Sequence, residues 1–487
     1  MIVKNINHNF ENEVQVVTQL FPYLNGGTAP KPPHYTGNES LLRSAAESGA
    51  AHSPVRCSEG YEITTEITDG FASASVAYRG KTQATHRLPI TNLPFYLTPR
   101  RVLMLVLYHA LQEAVGAYTP WGALTGIRPS KMVRDWLAHG FTNQQVIDTM
   151  QNPFCCAEEK AKLALDIAHA ENRLTKEIST HGEDAIGIYI GIPFCPTRCA
   201  YCSFNVDHNW GIKDMHEKYV DVLIAEIKQK KITAPISSIY IGGGTPTVLN
   251  NYLLEKLLST VAEQFDAAVE YTVEAGRPDT LTTENLALLR RYGANRIAVN
   301  PQTLNNTTLK TIGRRHTAED FYKAFSLAKE AGFNSINSDI IVGLPGETVA
   351  DVARTMENLM KLSPDNVTVH TLAVKRASNI NSNKEEFALP SAKTTEAMLN
   401  IAASACTSAG LSPYYLYRQK NMTGLFENVG YSKPGHECLY NIGMMSEVQT
   451  VIGFGAGAVS KFVIGDKITR EFNVKNPEVY VERRNQP

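Results

Sequence analysis

The segment PFCPTRCAYCSF carries three cysteines, Cys195, Cys199 and Cys202, spaced C-x3-C-x2-C. Thiols this close together hold a metal or do redox chemistry. A structural zinc site closes with four protein ligands, and only His208 lies near enough in sequence to be the fourth. A thioredoxin-like pair needs two thiols and leaves the third unexplained. A [4Fe–4S] cluster has four irons, and cysteine thiolates are its usual holders. Three thiolates on one loop leave one iron open to a ligand from outside the chain. The remaining cysteines, Cys57, Cys155, Cys156, Cys406 and Cys438, are scattered and are expected to be buried or incidental thiols.

The cysteine loop follows directly on IGIYIGI at 186–192. Five more strand-like segments lie at 238–243, 270–275, 295–300, 336–343 and 366–374. Amphipathic helices near 214–231, 253–265, 282–292, 317–331 and 347–362 separate them. Alternating strand and helix implies a parallel sheet with helical crossovers. Six such units are too few for a closed eight-stranded barrel, so an open (β/α)6 partial barrel is predicted. Ligands gather at the C-terminal strand ends of such sheets. The cysteine loop falls there, and so does GGGTPT at 242–247. Its glycines let a ligand approach the backbone closely. It lacks the P-loop lysine and the dinucleotide spacing, so its weight comes from its position.

Residues 1–180 form an α+β region with no catalytic cluster. A helix is expected over 12–24, a Gly/Pro/Ser-rich loop after it, and a β-meander over 61–90. Helices near 100–116, 129–139, 143–151 and 156–178 complete it. Arg128, Lys131 and Arg134 in this region could contact an anion, but read better as a capped, solvated helix start. Residues 181–384 are the barrel. Residues 385–487 form a C-terminal, substrate-covering domain with one clear helix at 392–409 and a β-rich end, expected to pack across the open side of the barrel.

The totals narrow the function classes. The chain has 487 residues, 43% hydrophobic and 20% charged, with a formal net charge of -1. That balance gives no reason to expect nucleic acid as a partner. The longest apolar run, Val102 to Tyr108, is too short to span a bilayer, and the first residues have no apolar signal core. A cytoplasmic location is expected.

CPTRCAYC after a first strand and GGGTPT after a second resemble the radical S-adenosylmethionine (radical SAM) superfamily. YIGIPFC, the strand end at Glu274, PQTLNNTTLKTIGRRH and DIIVGLPGET resemble the oxygen-independent coproporphyrinogen III dehydrogenase family. EAGRPDT, the long N-terminal region and YRQKNM…ENVGY resemble its HemZ branch. The resemblance implies an α/β fold with a radical SAM partial barrel and two cofactors, a [4Fe–4S] cluster and one or two S-adenosylmethionines. It implies an electron donor such as flavodoxin or ferredoxin and a tetrapyrrole substrate. In such enzymes the open iron chelates S-adenosylmethionine, whose reductive cleavage gives a 5′-deoxyadenosyl radical. That radical takes hydrogen from a propionate, and loss of carbon dioxide leaves a vinyl group.

Carried over by motif, Cys195, Cys199 and Cys202 hold the cluster. Tyr189, Tyr201, Gly243, Gly244, Thr245, Glu274, Gln302, Arg314, Asp339 and Ala373 contact S-adenosylmethionine. Arg376, Arg418 and Lys420 are candidate anchors for substrate carboxylates, because arginine forks suit them. Two departures stand out. Where the dehydrogenases proper have a fourth cysteine, this chain has Phe204, as do the haem chaperones of the HemW type. The HNxxYW motif of those chaperones is replaced by YNIGMM at 440–445, whose tyrosine and methionines are expected to form core or a wall. The alternatives are therefore a haem-binding chaperone, and a radical tetrapyrrole methyltransferase or haem-degrading enzyme.

Overall fold

The computed structural model describes residues 2–19, 60–68, 70–116, 118–126, 128–182, 184–202, 213–265, 268–375, 377–419, 422, 425–465 and 467–484. The chain divides into two compact units, Met1–Leu165 and Asp166–Pro487.

In the first unit β1 (Ile2–Ile6) and α1 (Glu11–Gln19) precede a meander of β2 (Tyr61–Thr68), β3 (Phe71–Tyr78) and β4 (Lys81–Pro89). The meander matches the alternation of its sequence, since Tyr61, Ile63, Ala72, Ala74 and Val76 are all buried. β1 adds to β2 in parallel, a strand that its short terminal sequence does not announce. Then come α2 (Pro99–Val115), α3 (Pro129–Ala138), α4 (Asn143–Gln151) and α5 (Glu158–Thr180), which continues into the second unit. The apolar run of α2 is a core helix: Val102 to Tyr108 is buried throughout, and the helix lies on β3 and β4. Among the described residues no helix is long and apolar enough to cross a membrane.

The second unit is built on six parallel strands: β5 (Ile186–Ile192), β6 (Ile236–Gly243), β7 (Glu270–Val273), β8 (Arg296–Ala298), β9 (Ser335–Val342) and β10 (Asn366–Thr371). They lie side by side in sequence order, as right-handed βαβ crossovers give. The crossovers are α6 (Lys213–Gln229), α7 (Asn251–Gln264), α8 (Thr283–Arg291), then α9 (Asn306–Thr311) with α10 (Ala318–Glu330), and α11 (Val349–Lys361). α8, α10 and α11 each start in a capping box, on Thr282, Thr317 and Thr348. The first-turn amides are thereby satisfied where each loop turns into its helix.

Residues 385–487 do not stand apart. After α12 (Asn379–Ser382) and α13 (Ala392–Ser408), β11 (Ser412–Tyr417) and β12 (Asn428–Ser432) pair antiparallel and extend the sheet beyond β10. α14 (Leu439–Met445) follows. β13 (Val451–Phe454) then returns to pair in parallel with β5, and β14 (Val459–Ile464) and β15 (Lys467–Phe472) continue outward. α15 (Pro477–Arg484) packs on α6. The tail therefore lengthens the sheet at both edges to eleven strands, and α14 lies against both β6 and β11. Tyr440 of α14 stacks on Tyr240 at 4.5 Å and on Tyr189 at 6.2 Å. With Tyr414, Tyr415 and Leu439 they form the apolar floor beneath the strand ends.

Glu270 fixes α14 to that floor. It is 4% exposed and accepts hydrogen bonds from the amides of Leu439 (2.7 Å) and Tyr440 (2.9 Å), while Arg296 Nε lies 3.6 Å away. Glu270→Ala would strand a buried guanidinium and two helix-start amides. We expect it to destabilise the protein by about 3–5 kcal/mol. Denaturant unfolding measures this, and a loss within the range of an ordinary surface substitution would contradict the assignment.

Candidate active site

All six parallel strands end at one cavity of about 360 Å3. The loop after β5 brings Cys195, Cys199 and Cys202 to it. Backbone bonds hold this loop at several points. Ile192 O accepts from Gly244 N, and Phe194 O from Thr245 N, both at 2.7 Å; Ala200 N donates to Ile312 O at 2.9 Å. Thr197 Oγ1 donates to Gly313 O at 2.9 Å.

The glycine run makes that attachment possible. A Cβ on Gly244 would stand 2.4 Å from Phe194 O, which is backbone and cannot yield. Gly243 has φ +104°, the left-handed side that other residues rarely adopt. GGGTPT is thus the bracket of the cysteine loop as well as a wall of the cavity.

The thiols crowd one another. Burial pushes the Cys195 thiol up to about 11; a hydrogen bond with Thr245 Oγ1 at 3.4 Å works against that, and Cys199 and Cys202 add to it. Arg277, 3% exposed, stands behind the loop, with Nη1 2.9 Å from Thr197 Oγ1 and 3.9 Å from Cys199 Sγ. Asp279 grips its guanidinium with two bonds of 3.1 Å. Three neighbouring thiols ionise together only around a positive centre. No group of three His, Cys, Asp or Glu among the described residues is arranged around a single ion. Three cysteines gathered on one loop at one cavity are the kind of thiolate set that holds an iron–sulfur cluster.

The same cavity holds a pair of half-buried carboxylates, Glu274 and Asp339. Burial raises the Glu274 carboxyl to about 7 and the nearby Asp339 charge adds to this, against the Gly243 amide, the Tyr240 hydroxyl and His370. Desolvation also acts on the half-buried Asp339, yet the bond and charge of His370, with Asn337 and Thr368, outweigh it and hold this carboxyl below the usual carboxylate range. His370 Nε2 lies 3.5 Å from Asp339 Oδ2, which also accepts from Asn300 Nδ2 at 3.0 Å. A cationic ligand would relieve the repulsion between these acids.

The adjoining wall has polar atoms unused by the protein. Gln302 Oε1 and Arg314 Nε are buried without a hydrogen-bond partner, an arrangement that a ligand would complete. Gln302 also has φ +67°, a conformation that costs a non-glycine residue about 1–3 kcal/mol. Arg314 Nη1 donates to Gly276 O at 2.9 Å, and Nη2 to the Tyr201 hydroxyl at 3.1 Å.

Cys195, Cys199, Cys202, Tyr201, Gly243, Gly244, Thr245, Glu274, Gln302, Arg314, Asp339 and Ala373 all line this cavity. Tyr189 sits in the floor beneath it, its hydroxyl 3.3 Å from where a Cβ of Gly243 would be. Arg376 and Lys420 lie outside the described residues, as do Phe204 and His208. Arg418 is 6% exposed, and its guanidinium donates to Leu425 O through Nε (3.2 Å) and Nη2 (2.8 Å). It ties its own loop, and the cavity is lined instead by its neighbours Tyr417 and Gln419. Arg277, Asn300, His370 and Lys375 also line it and were not singled out from sequence. Asn300 and His370 are polar residues at strand ends, the signal that could have found them.

Residues 189–359 match the radical SAM superfamily. The oxygen-independent coproporphyrinogen-III oxidase-like protein HemZ of Bacillus subtilis is 39% identical over 400 residues, 79% of this chain and 78% of its own. The heme chaperone HemW of Lactococcus lactis is 33% identical over 274 residues, 55% of this chain and 68% of its own. The solved structure of coproporphyrinogen III oxidase (HemN) from Escherichia coli has a TM-score of 0.51 at 24% identity, covering 65% of this chain and 71% of that one; at that identity the likeness is one of fold. Membership of the superfamily implies a [4Fe–4S] cluster and S-adenosylmethionine, and the cavity described above suits both. The chain belongs to the radical SAM superfamily and, within it, to the group of HemZ, the coproporphyrinogen-III oxidase-like proteins.

Proposed function

We propose that this chain is a radical SAM enzyme that oxidatively decarboxylates the propionates of coproporphyrinogen III to vinyl groups. The observation that carries the radical chemistry is the convergence of three thiols, two half-buried acids and two unpaired polar atoms on one cavity. The tetrapyrrole substrate rests on the similarity to HemZ.

Cys195, Cys199 and Cys202 would hold the cluster. Gly243 to Thr245, Glu274, Gln302, Arg314, Asp339 and Ala373 would hold S-adenosylmethionine, with Tyr201 positioned through Arg314 and Tyr189 supporting Gly243 from below. With one electron from a donor such as flavodoxin or ferredoxin, the two cofactors would supply hydrogen-atom abstraction from the substrate, and the electron left after loss of carbon dioxide would pass to an acceptor. Glu274 and Asp339 would face the cationic groups of the ligand, and His370 keeps Asp339 ionised. The floor of Tyr189, Tyr240 and Tyr440 closes the site below and keeps water from that side. Lys375 and Gln419 in the cavity lining would meet a substrate carboxylate, and Arg376 and Lys420, their neighbours in sequence, are proposed as further anchors.

The second reading is a haem chaperone, favoured by the similarity to HemW. The stretch that would supply an iron ligand weighs against it. Tyr440 is stacked in the floor, and the Cys438 thiol is buried against Glu270 at 3.3 Å.

Anaerobic turnover of the reconstituted protein with coproporphyrinogen III, read by mass, tests the proposal. The expected product is lighter by carbon dioxide and two hydrogens for each propionate converted. Cys199→Ala should abolish S-adenosylmethionine cleavage. A tight stoichiometric haem complex with no decarboxylated product would favour the chaperone.

The Glu274 carboxyl gives a pH signature. Its value of about 7 means that it is neutral in acid and ionised in base, and only the ionised form attracts a cation. Affinity for S-adenosylmethionine should therefore fall as pH drops through 7, roughly tenfold between pH 8 and pH 6. Equilibrium dialysis of cluster-loaded protein measures this. The slope should disappear in Glu274→Gln, and a slope that persists there would assign it to another group.

A further inference from the structure

Beyond Glu274, the stretch EAGRPDT at 274–280 takes no part in the chemistry above, yet it sets an ion pair against the cysteine loop. Arg277 and Asp279 lie after β7, around the single helical turn Pro278–Thr280. The Arg277 side chain is buried, and that of Asp279 is 22% exposed. A buried guanidinium is costly unless its donors are met. Here each of its nitrogens has a partner, and the placement of those partners gives the group a direction.

Asp279 takes one edge of the fork: Nε donates to Oδ1 and Nη2 to Oδ2, both at 3.1 Å. The three nitrogens radiate from one carbon, so an acid held on that edge turns Nη1 the other way. Nη1 donates to Thr197 Oγ1 at 2.9 Å, and it stands 3.5 Å from Thr197 O and 3.9 Å from Cys199 Sγ, a long N–H···S contact. Thr197 Oγ1 donates in turn to Gly313 O, which fixes the loop and the guanidinium together. The two charges cancel in sum but not in place. The positive end of the pair faces a buried thiol, while the acid is on the far edge of the fork and more open to screening by water. His316 adds no charge there: its buried side chain lies 4.0 Å from Asp279 Oδ1, and burial, with the charge of Arg314, lowers its imidazole to about 4.

Hydrogen bonds to the sulfurs and nearby charge set the potential of an iron–sulfur cluster. A donor aimed at a ligating thiolate stabilises the form with one more electron, which makes the cluster easier to reduce. Arg277 also lines the cavity, but Nε, Nη1 and Nη2 are directed at Asp279, Thr197 and the thiol rather than into the open space. We propose that Arg277, acting through Cys199, raises the reduction potential of the cluster, and that Asp279 is the residue that positions it. This rests on the assignment of the cluster to Cys195, Cys199 and Cys202 under the proposed function.

Redox titration of the reconstituted full chain, without S-adenosylmethionine and followed by electron paramagnetic resonance, tests this. In Arg277→Gln the midpoint should fall by about 59 mV, a tenfold loss in the one-electron equilibrium. In Asp279→Asn, which keeps the guanidinium and removes its counter-charge, the midpoint should rise. Iron content shows that each variant holds its cluster. A residue that only braced the loop would not give shifts of opposite sign. An unmoved midpoint in both variants, or a shift of the same sign in both, would overturn the inference and leave the cluster assignment standing. So would weakened S-adenosylmethionine binding in Arg277→Gln with the midpoint unmoved, which would make Arg277 a ligand contact. If Arg277→Gln takes up no iron, Asp279→Asn decides: a rise supports the inference, and a fall or no change overturns it. Failure of the unchanged protein to take up a [4Fe–4S] cluster would overturn the cluster assignment, and this inference with it.

Discussion

Two backbone hydrogen bonds, from Gly244 N to Ile192 O and from Thr245 N to Phe194 O, hold the active site together. They extend the pairing of β5 and β6 past the end of the strands and into the cysteine loop. The loop can then present its thiols at a fixed place without belonging to a regular element. A side chain on Gly244 would part the two segments. The motif is therefore a joint, and its closeness to the ligand space follows from what it joins.

Around this joint the cavity gathers three thiols, the Arg277–Asp279 pair and the carboxyls of Glu274 and Asp339. Two acids in one dry cavity do not ionise equally. Hydrogen bonds and His370 give the charge to Asp339, and Glu274 is pushed toward neutrality. The protein is thus prepared for a cation without carrying the full cost of two negative charges side by side in a half-buried cavity.

Much of this was legible in the sequence, because it depends on period and spacing. The six parallel strands follow from apolar runs between capped helices, and the cavity from polar residues at the strand ends. What was not legible depends on pairing across long stretches of chain. YYLY and NVGY carry strand-like residues, but nothing in them says that β11 and β12 join the rim of the barrel. Arg418 shows the opposite case. Its charge is plain in YRQKNM, but its direction is set by Leu425 O, in a loop whose course the sequence does not reveal. The left-handed backbone of Gln302 is equally invisible, since glutamine is not a residue that signals it.

The two rims of the sheet have a consequence for synthesis of the chain. β5 pairs with β13, made some 260 residues later, and β10 pairs with β12. A nascent chain that has completed all six parallel strands still shows two open strand edges. The β10 edge is free until β12 has emerged at residue 432 and the β5 edge until β13 has emerged at residue 454; until then each can pair with other chains, a known hazard of unprotected strands. The last hundred residues thus act as a clasp, and a ribosome that stalls within them leaves a nearly finished barrel in its most aggregation-prone form.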